Sequence, residues 1–485
     1  MPAGEKALRP LGMRANSARI VVKLRHGIEV PYADDVASDL DRVVPGFWRE
    51  LGTRFPGIRM RRIFTTVSPE RTGELEALAS RRDAARESSP PDLLRYFFID
   101  ARSIGQAHEV ASHLSQHRDV FTLAYVDPPG AETANGMPDD ACGVAQGYLR
   151  PAPRGIDADF AARLPGGGGE GQHFVDLEAG WTLAHERLRD HGPLRPLAGD
   201  VKPSARRHGT AVLGVVCGRR VGGTGCTGIA PRVASMNVVS VWHDHPSGRP
   251  RDQQLRQTAL LSAIDALALP GETISPGVLL LEQVVHYDVT VPVGATQTEE
   301  LRWDLPLEAA PLEFELVSLA TRLGITVVEA AGNGFSPGLG AERRGIDLDR
   351  FPPLGGPRIF DRRQRDSGAI LVAAAYSAGR RRIPSSNFGT RVDCFAWGDS
   401  VVTATSGGPD DLRGCTAVFG GTSAAAAIVA GAALVVLGVA DAARPSRPKL
   451  TGREVRELLG RGTRPARAGE RIGVMPDLRA ILSAL

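Results

Sequence analysis

The sequence predicts an α/β protein in which a mostly parallel sheet lies between helices, preceded by a small α+β domain. From about residue 148, short apolar runs alternate with helical stretches, as in a parallel sheet covered on both faces. Before residue 130, the predicted order is the β-α-β-β-α-β of a ferredoxin-like sandwich. The segment 131–147 is rich in Pro, Gly, Asp and Ala and is predicted to be a linker. We therefore expect domains at 1–130 and 148–485.

The first domain follows from alternating apolar and polar patterns. Strands are predicted within 18–26, 58–67, 95–101 and 120–126, and helices within 33–52 and 104–117. Pro45 is expected to break the first of these helices. The inserted stretch 71–91 is predicted to be helical in its first half and an exposed loop in its charged second half.

The second domain has longer apolar runs. Strands are predicted within 173–176, 233–241, 277–285, 325–332, 368–375 and 392–398, and helices within 208–217, 252–267, 312–323 and 451–459. Residues 414–440 contain no charged residue and are long enough to cross a membrane. Because Ala and Gly dominate that stretch, we interpret it as a buried core helix and expect no membrane association.

Composition excludes some partners and suggests a compartment. The net charge of +3 is spread over 58 basic and 55 acidic residues without a basic block, so nucleic-acid binding is not expected. Five cysteines are few and odd in number, which favours reduced thiols, although Cys217 and Cys226 could pair. Residues 1–25 lack an apolar signal core. These features predict a cytoplasmic protein, with secretion by another route left open.

Ser423 is the strongest candidate for a reactive residue. It lies in Gly420-Gly421-Thr422-Ser423, directly before an apolar helix rich in alanine. The N-terminus of a helix presents unpaired N–H groups and the positive end of the helix dipole, which favour negative charge on a bound carbonyl oxygen. The simpler interpretation is that Thr422 or Ser423 only caps the helix.

Three further positions carry polar groups of the kind that catalysis uses. Asp176 closes the apolar run His-Phe-Val-Asp, His208 opens a helix, and Asn333 lies in a Gly-Asn-Gly turn after a buried strand. Taken singly, these are ordinary positions for a turn aspartate, a helix-terminal histidine and a turn asparagine. An asparagine amide can also donate to an oxyanion. Gly209 and Gly214, inside the histidine helix, predict close packing against it.

Together the four residues arrive in the order Asp, His, Asn, Ser, each within a matching local sequence. HGTAVLG carries the histidine, AAGNG the asparagine and GTSAAAAIVAGAA the serine, with further matches in TGIAP, SNFGTRVDCFAWG and the C-terminal tail. The region from about 146 to 485 thus resembles the subtilisin-like serine peptidases, the subtilases of peptidase family S8. Chain order separates it from chymotrypsin-like and α/β-hydrolase enzymes.

The resemblance implies a serine endopeptidase with an Asp-His-Ser triad. Ser423 would attack a peptide carbonyl, His208 would take its proton, Asp176 would orient the imidazole, and Asn333 would hold the oxyanion. Protein or peptide substrates are implied, and no cofactor is required. The N-terminal domain would be a propeptide that assists folding and covers the cleft, the alternative being an unrelated accessory domain. A catalytically silent subtilisin-fold binding or regulatory module is the competing function.

One departure from the family concerns the substrate channel. GVLLLEQVV replaces a strand that in relatives reads roughly Met-Ser-Leu-Gly-Gly, so Glu282 and Gln283 are expected to line the substrate site. We predict that Glu282 favours a basic residue next to the cleaved bond. No metal site is predicted. Relatives often bind calcium, and Asp347 and Asp349 offer carboxylate oxygens, but two carboxylates do not define a site.

Overall fold

The structure is a computed structural model. It describes residues 11–82, 91–131, 143–192, 195–221, 225–244, 255–268, 277–293, 297–336, 342–352, 355–467 and 469–485. Most of the predicted linker, including Cys142, lies outside these residues, and so does the loop predicted at 83–90.

The N-terminal domain is built on a four-stranded antiparallel sheet. Its elements, after a short first strand β1 (Gly12–Arg14), are β2 (Arg19–Leu24), α1 (Ala37–Val43), α2 (Phe47–Arg54), β3 (Arg59–Arg62), α3 (Pro69–Arg82), β4 (Tyr96–Asp100), α4 (Ile104–Leu114) and β5 (Phe121–Val126). The strand order β3-β4-β2-β5 is that of a ferredoxin-like sheet, as predicted. The break near Pro45 and the inserted helix α3 are also confirmed.

The larger domain is organised around six parallel strands in the order β15-β14-β12-β9-β7-β8. These strands are β7 (His173–Glu178), β8 (Ser235–Ser240), β9 (Val278–Leu281), β12 (Thr326–Ala330), β14 (Ile370–Ala375) and β15 (Cys394–Trp397). All six are almost wholly buried, which explains their continuous apolar runs. The predicted parallel sheet between helices is confirmed.

The helices of this domain are α5 (Ala158–Ala161), α6 (Arg206–Cys217), α7 (Arg256–Leu267), α8 (Pro311–Arg322), α9 (Gly421–Ala443), α10 (Gly452–Leu459) and α11 (Leu478–Leu482). Helix α7 packs on β7 and β8, whereas α9 packs on β12, β14 and β15. Helix α9 is long and apolar enough to span a membrane, but its most apolar stretch is completely buried inside the protein. The uncharged stretch is therefore a core helix.

Antiparallel strands outside the two main sheets complete the structure. They are β6 (Gly130–Ala131), β10 (Val284–Val293), β11 (Gln297–Pro306), β13 (Gly334–Phe335), β16 (Val401–Ala404), β17 (Cys415–Phe419), β18 (Gly462–Thr463) and β19 (Met475–Pro476). The long hairpin of β10 and β11 was not predicted. Strand β10 pairs with β1 and with β6, so both ends of the N-terminal domain are joined to the larger domain through this hairpin.

The interface between the two domains contains a buried ionic network centred on Asp127, at the end of the small domain. Arg19 lies 2.8 Å and Arg256 lies 2.5 Å from the Asp127 carboxylate. Arg256 also binds Glu313 on α8 at 2.6 Å. Removing one partner of such a network leaves an uncompensated buried charge, which typically costs about 3–5 kcal/mol. The network therefore fixes the small domain against α7 and α8.

Among the described cysteines, one differs from the expected reduced thiol. Cys415 is in a disulfide, so the preference for reduced thiols is wrong there. Cys217, Cys226 and Cys394 are buried free thiols, and the considered pairing of Cys217 with Cys226 does not form. The cytoplasmic location stays a prediction.

Candidate active site

Two acidic side chains lie on one face of strand β7 near its carboxyl end. Asp176 and Glu178 are two residues apart in the strand, so their side chains point to the same side of the sheet. Both are fully buried. Glu178 is the last residue of the strand, at the sheet edge where parallel α/β proteins place their functional groups.

The histidine helix brings its imidazole to Glu178. His208 lies in the first turn of α6, and its Nδ1 is 2.5 Å from Oε2 of Glu178. A carboxylate can only accept, so Nδ1 carries the proton and Nε2 keeps a lone pair that can accept one. The ring of Phe419, at the end of β17, contacts the imidazole edge to face at 5.6 Å. The pair thus holds the histidine in the tautomer that a general base needs.

The predicted pairing of Asp176 with His208 is wrong. Asp176 instead accepts a hydrogen bond from Trp181 Nε1 at 2.7 Å, and its second oxygen has no partner among the described residues. Burial, reinforced by the charge of Glu178, raises the pKa of Asp176 well above its ordinary value. The apolar run His-Phe-Val-Asp suggested that the strand ends at Asp176. In the structure β7 continues for two more residues, to Glu178, and the histidine reaches that later carboxylate.

Small residues let Trp181 and the histidine helix approach closely. A Cβ on Gly209 would collide with the carbonyl oxygen of Gly180 and lie 2.6 Å from the Trp181 ring. A Cβ on Gly214 would collide with Thr403 on β16. The close packing predicted from these helical glycines is confirmed, and it fixes α6 beside the end of β7.

Ser423 is in the first turn of α9 but does not cap it. The N-cap is Gly420, which has no capping side chain, and the helix begins at Gly421. The simpler interpretation of Thr422 or Ser423 as a cap is therefore wrong. Gly421 has φ +77°, a conformation that favours glycine, and a Cβ there would lie 3.1 Å from Asn333 Oδ1.

Asn333 supplies the missing cap from another loop. Its Oδ1 accepts hydrogen bonds from the backbone N–H of Thr422 at 3.0 Å and from the Thr422 hydroxyl at 3.1 Å. With Oδ1 occupied in this way, the amide nitrogen Nδ2 is the donor that remains. No described residue accepts from it. Asn333 thus places an N–H donor at the head of the serine helix, where an oxyanion would form.

A second asparagine holds the loop that carries Asn333. The Asn387 side chain donates to the carbonyl oxygens of Ala331 at 2.7 Å and Asp304 at 2.8 Å, and its backbone N–H donates to Gly332 at 3.0 Å. Gly332 has φ +95°. Asn387 belongs to the quoted SNFGTRVDCFAWG segment, so that motif supports the oxyanion loop rather than contacting the reacting atoms.

Glu282 and Gln283 lie within the site but do not form an open substrate pocket. They are 1% and 2% exposed. Gln283 Nε2 donates to Glu178 Oε1 at 3.2 Å, and the Ser423 hydroxyl interacts with the Glu282 carboxyl. Burial raises the pKa of Glu282 well above its ordinary value. Because Glu282 is buried rather than open to a substrate side chain in this structure, the preference for a basic residue stays a prediction.

The two carboxylates considered for calcium are bound to an arginine. Arg471 donates to Asp349 at 2.5 Å and to Asp347 at 2.8 Å. Among the described residues no cluster of three metal-ligating side chains occurs. These two residues are therefore committed to an ion pair. Calcium binding, which the resemblance makes possible, stays a prediction.

The residues that follow Asp176 in the sequence indicate that the strand extends to Glu178. The rule that functional groups follow the carboxyl end of a parallel strand applies to the residue that ends the strand. The continuation Leu177-Glu178 before Ala179-Gly180 extends β7, because Leu177 is apolar and Gly180 is the first strong turn former. Applied there, the same rule makes Glu178 a candidate beside Asp176, without deciding between them.

The comparisons with known proteins agree with the fold and the serine region. The model of the subtilase family of peptidases matches residues 187–471, more than half of the chain. This range includes His208, Asn333 and Ser423 but begins after both Asp176 and Glu178. No curated protein sequence matches the chain.

Solved structures with similar folds are subtilisin-like proteases. The serine protease EpiP of Staphylococcus aureus, which processes the epidermin leader peptide, is 13% identical with a TM-score of 0.56, covering 97% of this chain and 100% of its own. A protease of Pseudoalteromonas arctica is 19% identical with a TM-score of 0.47, covering 70% of this chain and 96% of its own. The fold and the family match lead to one conclusion: this chain belongs to the subtilase family and is a serine peptidase that acts on peptides or proteins.

Proposed function

We propose that this protein is a serine endopeptidase whose triad is Glu178, His208 and Ser423. The observation that carries the proposal is the 2.5 Å hydrogen bond between Glu178 and His208, buried beside the head of the helix that presents Ser423. The triad expected from the family had aspartate in the acidic role. Glutamate reaches the same imidazole nitrogen from a position two residues later in the strand.

The proposed reaction has two stages, acylation of Ser423 and hydrolysis of the acyl-enzyme. His208 Nε2 takes the Ser423 proton as the oxygen attacks the peptide carbonyl, and Glu178 stabilises the resulting imidazolium. Asn333 Nδ2 and the Ser423 N–H donate to the oxyanion. His208 returns the proton to the leaving amine, which leaves an acyl-enzyme. Water, activated by His208, then hydrolyses the ester and restores Ser423.

The competing function, a catalytically silent binding or regulatory module, is disfavoured. A silent module has no need for an imidazole held in one tautomer by a buried carboxylate, or for an asparagine with its amide N–H unpaired at the helix head. The enzyme mechanism gives both features a role: Glu178 orients the general base, and Asn333 donates to the oxyanion.

The test of endopeptidase action is the digestion of denatured casein, with the products identified by mass spectrometry. We expect internal cleavages throughout the substrate, because an endopeptidase binds its substrate on both sides of the bond that it cuts. Products shortened only from one end would instead indicate an exopeptidase. His208→Ala is the matched control and is expected to yield no cleavage above background.

For the N-terminal domain, we propose the role of intramolecular inhibitor and folding assistant. It packs on α7 and α8 through ion pairs such as Arg71 to Asp265 at 2.7 Å and Lys23 to Glu315 at 3.2 Å. Its last strand, β6, pairs with Val284 and Val285, immediately after Glu282 and Gln283. Strand β6, at the end of this domain, therefore lies beside the residues that follow Glu282 and Gln283.

N-terminal sequencing of the purified protein tests self-processing. We expect the wild-type protein to begin within about 127–147, the segment that joins the domains. Ser423→Ala is expected to keep its original N-terminus, because it lacks the nucleophile that would cut the chain. An intact N-terminus in both proteins would contradict self-processing.

A further inference from the structure

Glu282 occupies a position at the active site that the proposed mechanism does not use. It directly follows β9, and its backbone N–H donates to Leu177 on β7 at 3.2 Å. This pairing places its side chain beside the end of β7, where Glu178 binds His208. The carboxyl is 1% exposed, so it is removed from solvent in the folded protein.

The polar surroundings of Glu282 do not suit a negative charge. The carboxyl groups of Asp176 and Glu178 on β7 act on it, and both disfavour its ionisation. From α9 it meets only the uncharged Ser423 hydroxyl, and neither Glu282 oxygen makes a hydrogen bond of regular geometry. An unpaired buried carboxylate is costly, so burial without a partner favours the protonated form of Glu282.

The neighbouring strand β12 does not stabilise a negative charge on Glu282 either. Glu329 on β12 is in register with Leu281, one residue before Glu282, but its carboxyl accepts from the backbone of Glu308 at 2.9 Å. The arginine that acts on Glu329 is Arg391, which binds Glu308 at 2.8 Å. Arg391 is thus committed to Glu308 and does not form an ion pair with Glu282.

The neutral and the ionised forms of Glu282 affect Ser423 in opposite ways. A neutral carboxyl can share a hydrogen bond with the Ser423 hydroxyl without adding charge to the site. An ionised carboxylate accepts the Ser423 proton in its own hydrogen bond, which competes with His208 for it. It also places a negative charge beside the oxyanion that forms in the reaction, which raises the barrier.

We propose that Glu282 is a positioning residue for Ser423, active only while it carries its proton, so that its ionisation switches the peptidase off at alkaline pH. The inference rests on the proposed function, since it assigns a role toward the same nucleophile. It assigns to Glu282 a part in setting the pH range of the reaction instead of the choice of substrate side chain.

The test is the pH profile of kcat/KM for a peptide substrate in wild type and Glu282→Gln. For the wild type we expect a bell-shaped profile. Activity rises as His208 loses its proton and falls, about tenfold per pH unit, as Glu282 loses its own. Glutamine cannot ionise, so the variant is expected to lack the alkaline fall. At neutral pH it should be about tenfold slower, because the contact between residue 282 and the Ser423 hydroxyl is altered.

Glu329→Gln is the matched control. Glu329 is also buried, and burial together with the charge of Glu308 raises its pKa to about 8, but it lies outside the proposed machinery. This variant is expected to keep the alkaline fall of the wild type. Loss of the fall in Glu329→Gln would overturn the inference, because the ionisation would then belong to Glu329.

Two further results separate this inference from the proposed function. An alkaline fall in Glu282→Gln that equals the wild-type fall overturns the inference alone, and a wild type that hydrolyses nothing at any pH overturns both. If circular dichroism shows that Glu282→Gln is unfolded, Glu282→Asp carries the test. Its shorter carboxyl is expected to shift the fall along the pH axis, and an unshifted fall would overturn the inference.

Discussion

Replacement of Ser423 by alanine is expected to abolish covalent labelling by a fluorophosphonate and to lower kcat about 10⁶-fold. Fluorophosphonates react with a serine oxygen only when a neighbouring base removes its proton. Removal of the nucleophile in subtilisin costs about 2 × 10⁶ in kcat, and the activity left comes from binding and the oxyanion hole. The measurement is gel fluorescence of the labelled protein together with peptide hydrolysis under the same conditions.

The control for Ser423→Ala is a serine elsewhere in the protein. Ser115→Ala, at the exposed end of α4, is expected to label like the wild type. Labelling that persists in Ser423→Ala would show that another residue is the nucleophile. If wild-type protein stays unlabelled even after release of the N-terminal domain, the silent module becomes the better description.

Replacement of Glu178 by glutamine is expected to lower kcat about 10⁴-fold, whereas Asp176→Asn should cost less than about tenfold. In serine proteases, loss of the carboxylate that holds the histidine costs about 10⁴, because the imidazole takes the wrong tautomer. The glutamine side chain would have the same effect on His208, since its amide can donate where the carboxylate only accepts. Asparagine in place of Asp176 can still accept from Trp181, its present donor.

The pair of variants is its own control, because both remove a buried carboxylate from the same face of β7. Steady-state kinetics gives kcat, and circular dichroism checks that both variants fold. The reverse order of effects would return the acidic role to Asp176. Equal effects would indicate that the two carboxyls act as one unit, which the double variant would then reveal as a non-additive loss.

The serine, the histidine and the asparagine could be located from the sequence because each lies in a short segment whose own chemistry is distinctive. Gly421 before Ser423 is required by a backbone φ of +77°, and Gly209 after His208 is required by contact with Gly180. These local requirements leave a trace in the residues next to the functional side chain. The parallel sheet was predictable for the same reason, since buried strands need continuous apolar runs.

The acidic partner could not be chosen in this way. Asp176 and Glu178 share a face of the strand, so the alternation of side chains does not distinguish them. What distinguishes them is the extent of β7, which pairs with β8 as far as Glu178 opposite Ser240. The position of α6 then decides which carboxylate the imidazole reaches.

The α/β class, the ferredoxin-like order of the small domain and the candidate serine, histidine and asparagine could be predicted from residues close together in the chain. The contact of His208 with Glu178 rather than Asp176, the burial of Glu282 beside Ser423 and the disulfide of Cys415 become evident only in the folded protein. The reason is physical. Backbone conformation and burial patterns depend on neighbours in the chain, whereas a carboxyl group's partner and charge depend on side chains that only folding brings near.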